Sequence, residues 1–123
     1  MSLSVLVVED EAVVAIDLEF ALEELGHSVV GAGRLSEAMS AVQSSDFDLA
    51  ILDVNLNGEP SYPVASVLEA KGVPFVFVTG YGVDGLEENW RHTRVLQKPI
   101  QRDALTSLLK TISPRQGAAG GVN

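Results

Sequence analysis

The chain has 123 residues, and its 17 Asp and Glu against 8 Lys and Arg give a formal net charge of −9. This length suits one domain with a single core, and the negative charge disfavours sequence-independent binding to nucleic acid. The absence of cysteine excludes disulfides, thiolate metal sites and a cysteine nucleophile. No apolar run is long enough to span a membrane, and the first residues lack the basic segment of a signal peptide. We therefore expect an acidic cytoplasmic domain.

The first part of the chain alternates apolar runs with helical patterns. Leu3–Val8 predicts a strand that is buried on both faces. Apolar residues then recur at spacings of three and four and predict a helix: Ala15, Leu18, Leu22 and Leu25. Gly26 is placed to end this helix in a left-handed conformation. Ser28–Ala32 predicts a second strand, and Ser36 is the expected N-cap of a helix that runs to about Val42.

The middle of the chain continues this alternation. Leu49–Val54 predicts a third buried strand, and Asn55–Pro60 is rich in turn-forming residues. Val64–Lys71 predicts a helix that Gly72 ends. Pro74–Thr79 predicts a fourth strand, which carries an almost continuous apolar run.

The fourth helix is predicted to be weak. Gly80–Gly85 contains three glycines, which disfavour a helix, so we expect only a short and mobile one near Leu86–Trp90. Thr93–Leu96 predicts a short fifth strand, and Arg102–Thr111 predicts the last helix. Its inward-facing apolar residues are expected to be Leu105, Leu108, Leu109 and Ile112.

Five strand-like runs separated by helical segments predict an α/β fold, a (βα)5 doubly wound parallel sheet with helices on both faces. Right-handed crossovers favour the flavodoxin-like strand order 2-1-3-4-5. The folded domain is expected to span residues 1–113. Residues 114–123, which are rich in Gly and Ala, are expected to form a flexible C-terminal tail.

Polar side chains follow four of the predicted strands where each strand ends. The acidic residues 9–11 follow the first strand, Asp53 follows the apolar part of the third, Thr79 ends the fourth and Lys98 follows the fifth. Taken singly, each has a simpler interpretation as a cap, a turn former or a surface charge. Ligand sites in such sheets lie at the carboxyl ends of the strands, so the fold brings all of them together. Clustered carboxylates favour a hard cation such as Mg²⁺, beside which one carboxylate can attack a phosphoryl group.

Four short motifs at these positions resemble the receiver domain of two-component response regulators over residues 4–112. They are Val5–Glu11, Leu52–Leu56, Val78–Gly80 and Lys98-Pro99. The resemblance implies that Asp53 is the phosphoacceptor and that the Lys98–Pro99 peptide bond is cis. It implies a Mg²⁺ site made of Glu9 (through water), Asp10, Asp53 and the backbone carbonyl of Asn55. It also implies that Lys98 and Thr79 contact the phosphoryl group, Thr79 as the switch hydroxyl.

The chain departs from the common receiver pattern at two places. Many receivers carry an aromatic residue three positions before the lysine, where this chain has Val95. Phe77-Val78-Thr79-Gly80-Tyr81 instead resembles part of the Phe-x-Thr-Gly-x-Tyr (FATGUY) variant, in which one residue separates the Gly from the Tyr. We therefore predict that switching changes the order of residues 80–92, with Tyr81 and Trp90 as candidates for a secondary switch.

The resemblance implies a stand-alone signalling module rather than an enzyme, acting through protein–protein contacts as a shuttle, sink or inhibitor. The implied partner is a sensor histidine kinase, including the HWE type that accompanies FATGUY receivers, or a phosphotransfer protein. We expect a monomer or weak dimer that binds neither nucleic acid nor membrane.

Three other functions share parts of this pattern. A flavodoxin-like electron carrier needs an anion-binding loop after the first strand, where the acidic residues 9–11 would repel a phosphate. A phosphohydrolase of the haloacid dehalogenase type needs a general acid at the position of Asn55. The alternative that stays open is a pseudo-receiver, an interaction module that works without phosphorylation.

Overall fold

The computed structural model describes residues 2–114, so all but Pro114 of the predicted tail lies outside the described residues. The strands are β1 (Ser4–Val8), β2 (Ser28–Ala32), β3 (Leu49–Asp53), β4 (Asn55–Leu56), β5 (Glu59–Pro60), β6 (Phe75–Thr79) and β7 (Val95–Gln97). The α-helices are α1 (Ala12–Glu24), α2 (Leu35–Ser44), α3 (Tyr62–Lys71) and α4 (Arg102–Leu109). Two short 3₁₀ helices, Gly82–Gly85 and Glu88–Trp90, lie between β6 and β7.

The main sheet is parallel and has the strand order β2-β1-β3-β6-β7. Because β6 and β7 are the fourth and fifth predicted strands, this is the predicted order 2-1-3-4-5, and the predicted fold class is confirmed. The pair β4–β5 forms a separate antiparallel hairpin beside the sheet. The sequence predicted only turns for this segment, since two-residue strands are too short to produce an apolar alternation.

Helices cover the sheet on both faces and give it two apolar cores. In β1, Leu6 and Val8 point into the core beneath α2 and α3, and Val5 and Val7 point into the core beneath α1 and α4. Alternate residues of a strand face opposite sides, so a strand covered on both sides must be apolar throughout. This explains the continuous apolar runs of the sequence, and all five residues of β3, including Asp53, are buried.

Helix ends agree with the glycine predictions and correct the predicted N-cap. Gly26 (φ 93°) follows the end of α1 and Gly72 (φ 72°) ends α3, both in left-handed conformations. The prediction that Ser36 caps α2 is wrong, because the helix already begins at Leu35 and its N-cap residue is Arg34. The side chain of Glu37 instead accepts a hydrogen bond from the backbone N–H of Gly33 (2.9 Å).

The faces of the first and last helices were predicted with different success. The four apolar residues expected to face inward near the C-terminal helix are buried, although α4 ends at Leu109 rather than Thr111, so that Ile112 lies beyond it. In α1, Leu18 and Leu22 are buried as expected, but Leu25 is 41% exposed. Val13, Ile16 and Phe20 also lie on the exposed face of α1, so this helix carries apolar side chains on both sides.

The predicted fourth helix forms as two 3₁₀ helices held by aromatic packing. The ring of Trp90 is stacked on Tyr62 (centroids 5.6 Å apart, interplanar angle 10°) and meets the edges of Phe75 and Phe77. The hydroxyl of Tyr62 accepts a hydrogen bond from the backbone N–H of Glu87 (2.8 Å). Few backbone hydrogen bonds hold a 3₁₀ turn, so these rings fix the end of the segment that leads into β7.

Replacing the Trp90 side chain tests this packing. Because Trp90 is 8% exposed and contacts several rings, we expect Trp90→Ala to lower the free energy of unfolding by about 3–5 kcal/mol. The matched control is Phe20→Ala, which truncates an aromatic side chain that is 58% exposed and should cost less than about 1 kcal/mol. Urea unfolding followed by circular dichroism measures both, and equal losses would contradict the anchoring role.

Candidate functional site

The candidate site lies at the carboxyl ends of the central strands, hereafter the carboxyl edge. Val8 of β1 pairs with Leu52 of β3. Glu9 follows Val8 and Asp53 follows Leu52, so these two acids lie side by side. Thr79 ends β6 at the same edge, and its carbonyl accepts a hydrogen bond from the backbone N–H of Lys98 (2.9 Å). The strands thus bring together the polar residues that the sequence separates by up to about ninety positions.

Three carboxylates are clustered at this edge. One oxygen from each of Glu9, Asp10 and Asp53 lies within 4.8 Å of the other two. Glu9 and Asp53 are buried (6% and 8% exposed), whereas Asp10 is partly exposed. Burial of neighbouring like charges is unfavourable unless a cation or a proton compensates them.

Lys98 supplies one positive charge to the cluster. Its Nζ lies 3.2 Å from Asp53 Oδ2 and 3.3 Å from Glu9 Oε1, and 3.7 Å from Oε1 of Glu11. Burial favours the neutral amine, but the carboxylates of Asp53 and Glu9 outweigh it and raise the pKa of Lys98 above its usual value. The Lys98–Pro99 bond is cis, as the resemblance implied. Glu11 was expected at this edge with the other acids after β1, but the sequence assigned no role to it.

The single ammonium group does not balance the buried acids. Burial raises the pKa of Glu9 to about 7, and the negative charge of Asp53 adds to this rise. Two contacts act in the opposite direction and lower the pKa: the hydrogen bond that Glu9 Oε2 accepts from the Glu11 backbone N–H (3.0 Å) and the positive charge of Lys98. At neutral pH the carboxyl of Glu9 is therefore close to half protonated in the metal-free protein. A group in this condition readily gives up its proton to a cation.

The donor set fits a hard divalent cation. Mg²⁺ prefers carboxylate, carbonyl and water oxygens, and two oxygens on opposite sides of the ion are about 4 Å apart. The 4.8 Å span of the three carboxylates is close to that size, so small side-chain movements suffice to close the site around an ion. The residues present therefore fit Mg²⁺ on the chemistry and spacing of their oxygens.

The hairpin β4–β5 sets the direction of the backbone at Asn55. Ser61 N–H donates to the Val54 carbonyl (2.9 Å), which makes Asn55 and Pro60 a pair without mutual hydrogen bonds. The N–H of Asn55 therefore points away from β5, and it donates to Asp53 Oδ1 (3.3 Å). Its carbonyl points to the same side of the strand. The Asn55 side chain contacts the turn of the hairpin, where its Oδ1 accepts a hydrogen bond from the N–H of Gly58 (2.6 Å).

Thr79 lies at the carboxyl edge, but its hydroxyl faces the loop that follows. It accepts a hydrogen bond from the Tyr81 N–H (2.7 Å) and donates one to the carbonyl of Gly82 (3.1 Å). Gly85 packs directly against it, since a Cβ at that position would lie 2.4 Å from Thr79 Oγ1. Of the two candidates for a secondary switch, Tyr81 is 80% exposed, whereas Trp90 is buried in the core beneath α2 and α3.

Comparison with known proteins identifies the class to which this fold and site belong. The response regulator receiver domain matches residues 5–110, so the chain belongs to that family. It is 36% identical over 85 residues to the phyllosphere-induced regulator PhyR of Methylorubrum extorquens, a match that covers 66% of this chain and 32% of PhyR. The chain spans about a third to about a half of the length of the curated relatives it matches.

Two solved structures of SdrG are similar to this chain over most of its length. The solution structure of SdrG from Sphingomonas melonis Fr1 has a TM-score of 0.77 and 42% identity, covering 87% of this chain and 92% of SdrG. The BeF3-activated conformation of SdrG from Pseudomonas melonis Fr1 has a TM-score of 0.73 and 40% identity, with the same coverage. Within residues 2–114, no helix has the length and apolar character that crossing a bilayer requires.

The raised pKa of Glu9 predicts how the stability of the metal-free protein depends on pH. Between the ordinary value of 4.5 and about 7, the folded state holds more of the Glu9 proton than the unfolded state does. The free energy of unfolding contributed by Glu9 is therefore present at low pH and falls as pH rises through this window. Glu9→Gln cannot ionise, so it should gain stability relative to the unsubstituted protein as pH rises from 4.5 to 7. Urea unfolding in the presence of a chelator measures the difference, and a pH-independent difference would contradict the prediction.

Proposed function

We propose that this receiver domain accepts a phosphoryl group on Asp53 in a Mg²⁺-dependent reaction and signals through contacts with other proteins. The observation that carries the proposal is the position of Asp53, buried at the end of β3, with the Lys98 ammonium 3.2 Å from Oδ2 and two further carboxylates beside it. An arrangement that serves only stability would not need three clustered acids, two of them buried. We place this activity in the cytoplasm, where ATP-dependent kinases act.

The chemistry we propose is a direct displacement at phosphorus. An oxygen of Asp53 forms a bond to the phosphorus while the bond to the donor breaks, and the donor atom leaves with the electron pair. Lys98 neutralises an oxygen of the incoming group, and the Thr79 hydroxyl hydrogen-bonds another after it turns from the loop. Bound Mg²⁺ would offset the charge of the phosphoryl oxygens and orient them. We assign its binding to Asp10 and Asp53 directly, to the Asn55 carbonyl, and to Glu9 through water.

The proposed donor is a histidine kinase, including the HWE type, or a phosphotransfer protein, whose phosphorylated imidazole nitrogen is the leaving atom. Support for phosphorylation comes from SdrG, a similar chain with a solved BeF3-activated conformation. The alternative function is a pseudo-receiver that binds its partners without phosphorylation. The contact between Lys98 and Asp53 favours the phosphoacceptor, because a binding module has no need of an ammonium group at this carboxylate.

We further propose that the switch is a change in the order of residues 80–92. The Thr79 hydroxyl holds the Tyr81 N–H and the Gly82 carbonyl, so both groups lose this partner when the hydroxyl turns to a phosphoryl oxygen. Tyr81 is 80% exposed and free to repack. Trp90 would move only if its stack on Tyr62 opened, so the change should be larger at the glycine-rich end of the segment.

Intact mass after incubation with acetyl phosphate and Mg²⁺ tests the phosphoacceptor. We expect the protein to gain one phosphoryl group and Asp53→Asn to gain none, because the amide is a poor nucleophile. The matched control Asp46→Asn, at an exposed acid that precedes the amino end of β3, the end opposite Asp53, should gain the group as the unsubstituted protein does. If the folded, unsubstituted protein formed no adduct with any small phosphodonor, the pseudo-receiver would be the better description.

Hydrogen exchange tests the switch. On phosphorylation, or with beryllofluoride and Mg²⁺, we expect amide exchange to change across residues 80–86 and less at Glu87–Trp90, where the aromatic cluster holds the chain. Mass spectrometry of peptides resolves the two ends, with α3 as an internal reference. Identical exchange in the two states across residues 80–92 would refute the proposed switch even if Asp53 is phosphorylated.

A further inference from the structure

The hairpin β4–β5 has a local sequence that specifies its turn. Asn57 (φ 52°) and Gly58 (φ 89°) are its two central residues, and both have positive φ, as a tight two-residue hairpin turn requires. Asn and Gly are the residues that adopt this conformation most readily. Leu56, which is 1% exposed, anchors the hairpin in the core beneath α2 and α3.

The turn contacts the cluster of carboxylates from outside the sheet. The backbone N–H of Asn57 donates a hydrogen bond to Asp10 Oδ2 (2.9 Å), joining residues that are 47 positions apart in the sequence. Asp10 is the least buried member of the cluster, and it has no ion pair with Lys98 among the described residues, unlike Glu9 and Asp53. The hydrogen bond from Asn57 is therefore the contact in the structure that orients its carboxylate.

We propose that Asn57 is a positioning residue. Its backbone N–H holds the Asp10 carboxylate in the orientation that cation binding needs. The conformation of the hairpin turn therefore sets the affinity of the site for the cation. This inference rests on the proposed function, because it concerns the same metal site. Hydrogen bonds to metal-binding carboxylates commonly change affinity about 10- to 100-fold. The hairpin makes this bond through its main chain, so the relevant property of residue 57 is its backbone conformation rather than its side chain.

The hairpin also places a second backbone group at the site. The N–H of Asn55 donates to Asp53 Oδ1 (3.3 Å), so one two-stranded unit contacts carboxylates that follow β1 and end β3. A change of turn type would rotate the N–H of residue 57 away from Asp10, while Leu56 would still hold the base of the hairpin in the core. Cation affinity should therefore respond to the turn without loss of the fold.

Two substitutions at one position separate the backbone from the side chain. Asn57→Gly keeps the N–H and tolerates positive φ, so its affinity for Mn²⁺, a probe for the Mg²⁺ site, should stay within about twofold of the unsubstituted protein. Valine is β-branched and disfavours positive φ, so Asn57→Val should weaken Mn²⁺ binding about tenfold. Electron paramagnetic resonance of free Mn²⁺ in a titration measures both affinities independently of phosphorylation.

A third variant controls for loss of stability. Gly72→Ala strains a left-handed residue (φ 72°) at the end of α3, where an added Cβ meets no atom within 4 Å, and it should leave Mn²⁺ affinity unchanged. Urea unfolding of the metal-free variants identifies the concentration range in which each is folded. If Asn57→Val failed to fold, Gly58→Ala, at φ 89° in the same turn, would take its place with a smaller expected loss of affinity.

The outcomes distinguish this inference from the function on which it rests. Wild-type Mn²⁺ affinity in folded Asn57→Val, or an equal loss in Asn57→Gly, would overturn the positioning role while leaving phosphorylation of Asp53 intact. If the unsubstituted protein bound no Mn²⁺, the Mg²⁺-dependent function would fail, and the positioning role would fail with it. Weakened binding in Asn57→Val alone among the folded variants supports the inference.

Discussion

The contact between the Lys98 ammonium and the carboxylates of Asp53 and Glu9 is the interaction on which the carboxyl edge depends. It ties the segment after β7 to the ends of β1 and β3 across the sheet. The two acids are buried because the strands that carry them are apolar on both faces, and their repulsion is the electrostatic cost of that placement. One ammonium group offsets only part of this repulsion, and the raised pKa of Glu9 is the consequence. A proton on Glu9 offsets part of the remaining charge in the metal-free protein, and, as we propose, Mg²⁺ offsets it when bound.

Much of the fold and of the edge could be predicted from the sequence, because both follow from strand patterns. Continuous apolar runs identified the strands of the main sheet, and a parallel sheet places the carboxyl ends of its central strands together, so the approach of Glu9, Asp53 and Lys98 follows from topology. Contacts made by the main chain were missed. The bond from Asn57 to Asp10 depends on a turn conformation, for which the dipeptide Asn57-Gly58 was an available signal.

Other features could not be predicted because they depend on side-chain rotation or local competition. Nothing in the sequence states that the Thr79 hydroxyl turns to Gly82 rather than towards Asp53. Residue preference alone predicts Ser36 as the N-cap of α2, whereas the helix begins at Leu35 and the Glu37 side chain accepts a hydrogen bond from the N–H of Gly33. The aromatic cluster around Trp90 is likewise a tertiary arrangement, since Tyr62 and Trp90 lie on separate segments of the chain.

The pairing of β3 with β1 and β6 also limits where residues can be inserted into or deleted from the chain. A deletion or insertion of one residue within β3 would turn each following side chain to the opposite face, exchanging residues between the two cores and turning Asp53 away from Lys98. The segment between β6 and β7 has no such alternation to preserve, because no sheet pairing extends through it. Length variation should therefore be tolerated there and rejected in β3, which leaves the position of Asp53 within its strand more constrained than the spacing from Thr79 to Lys98.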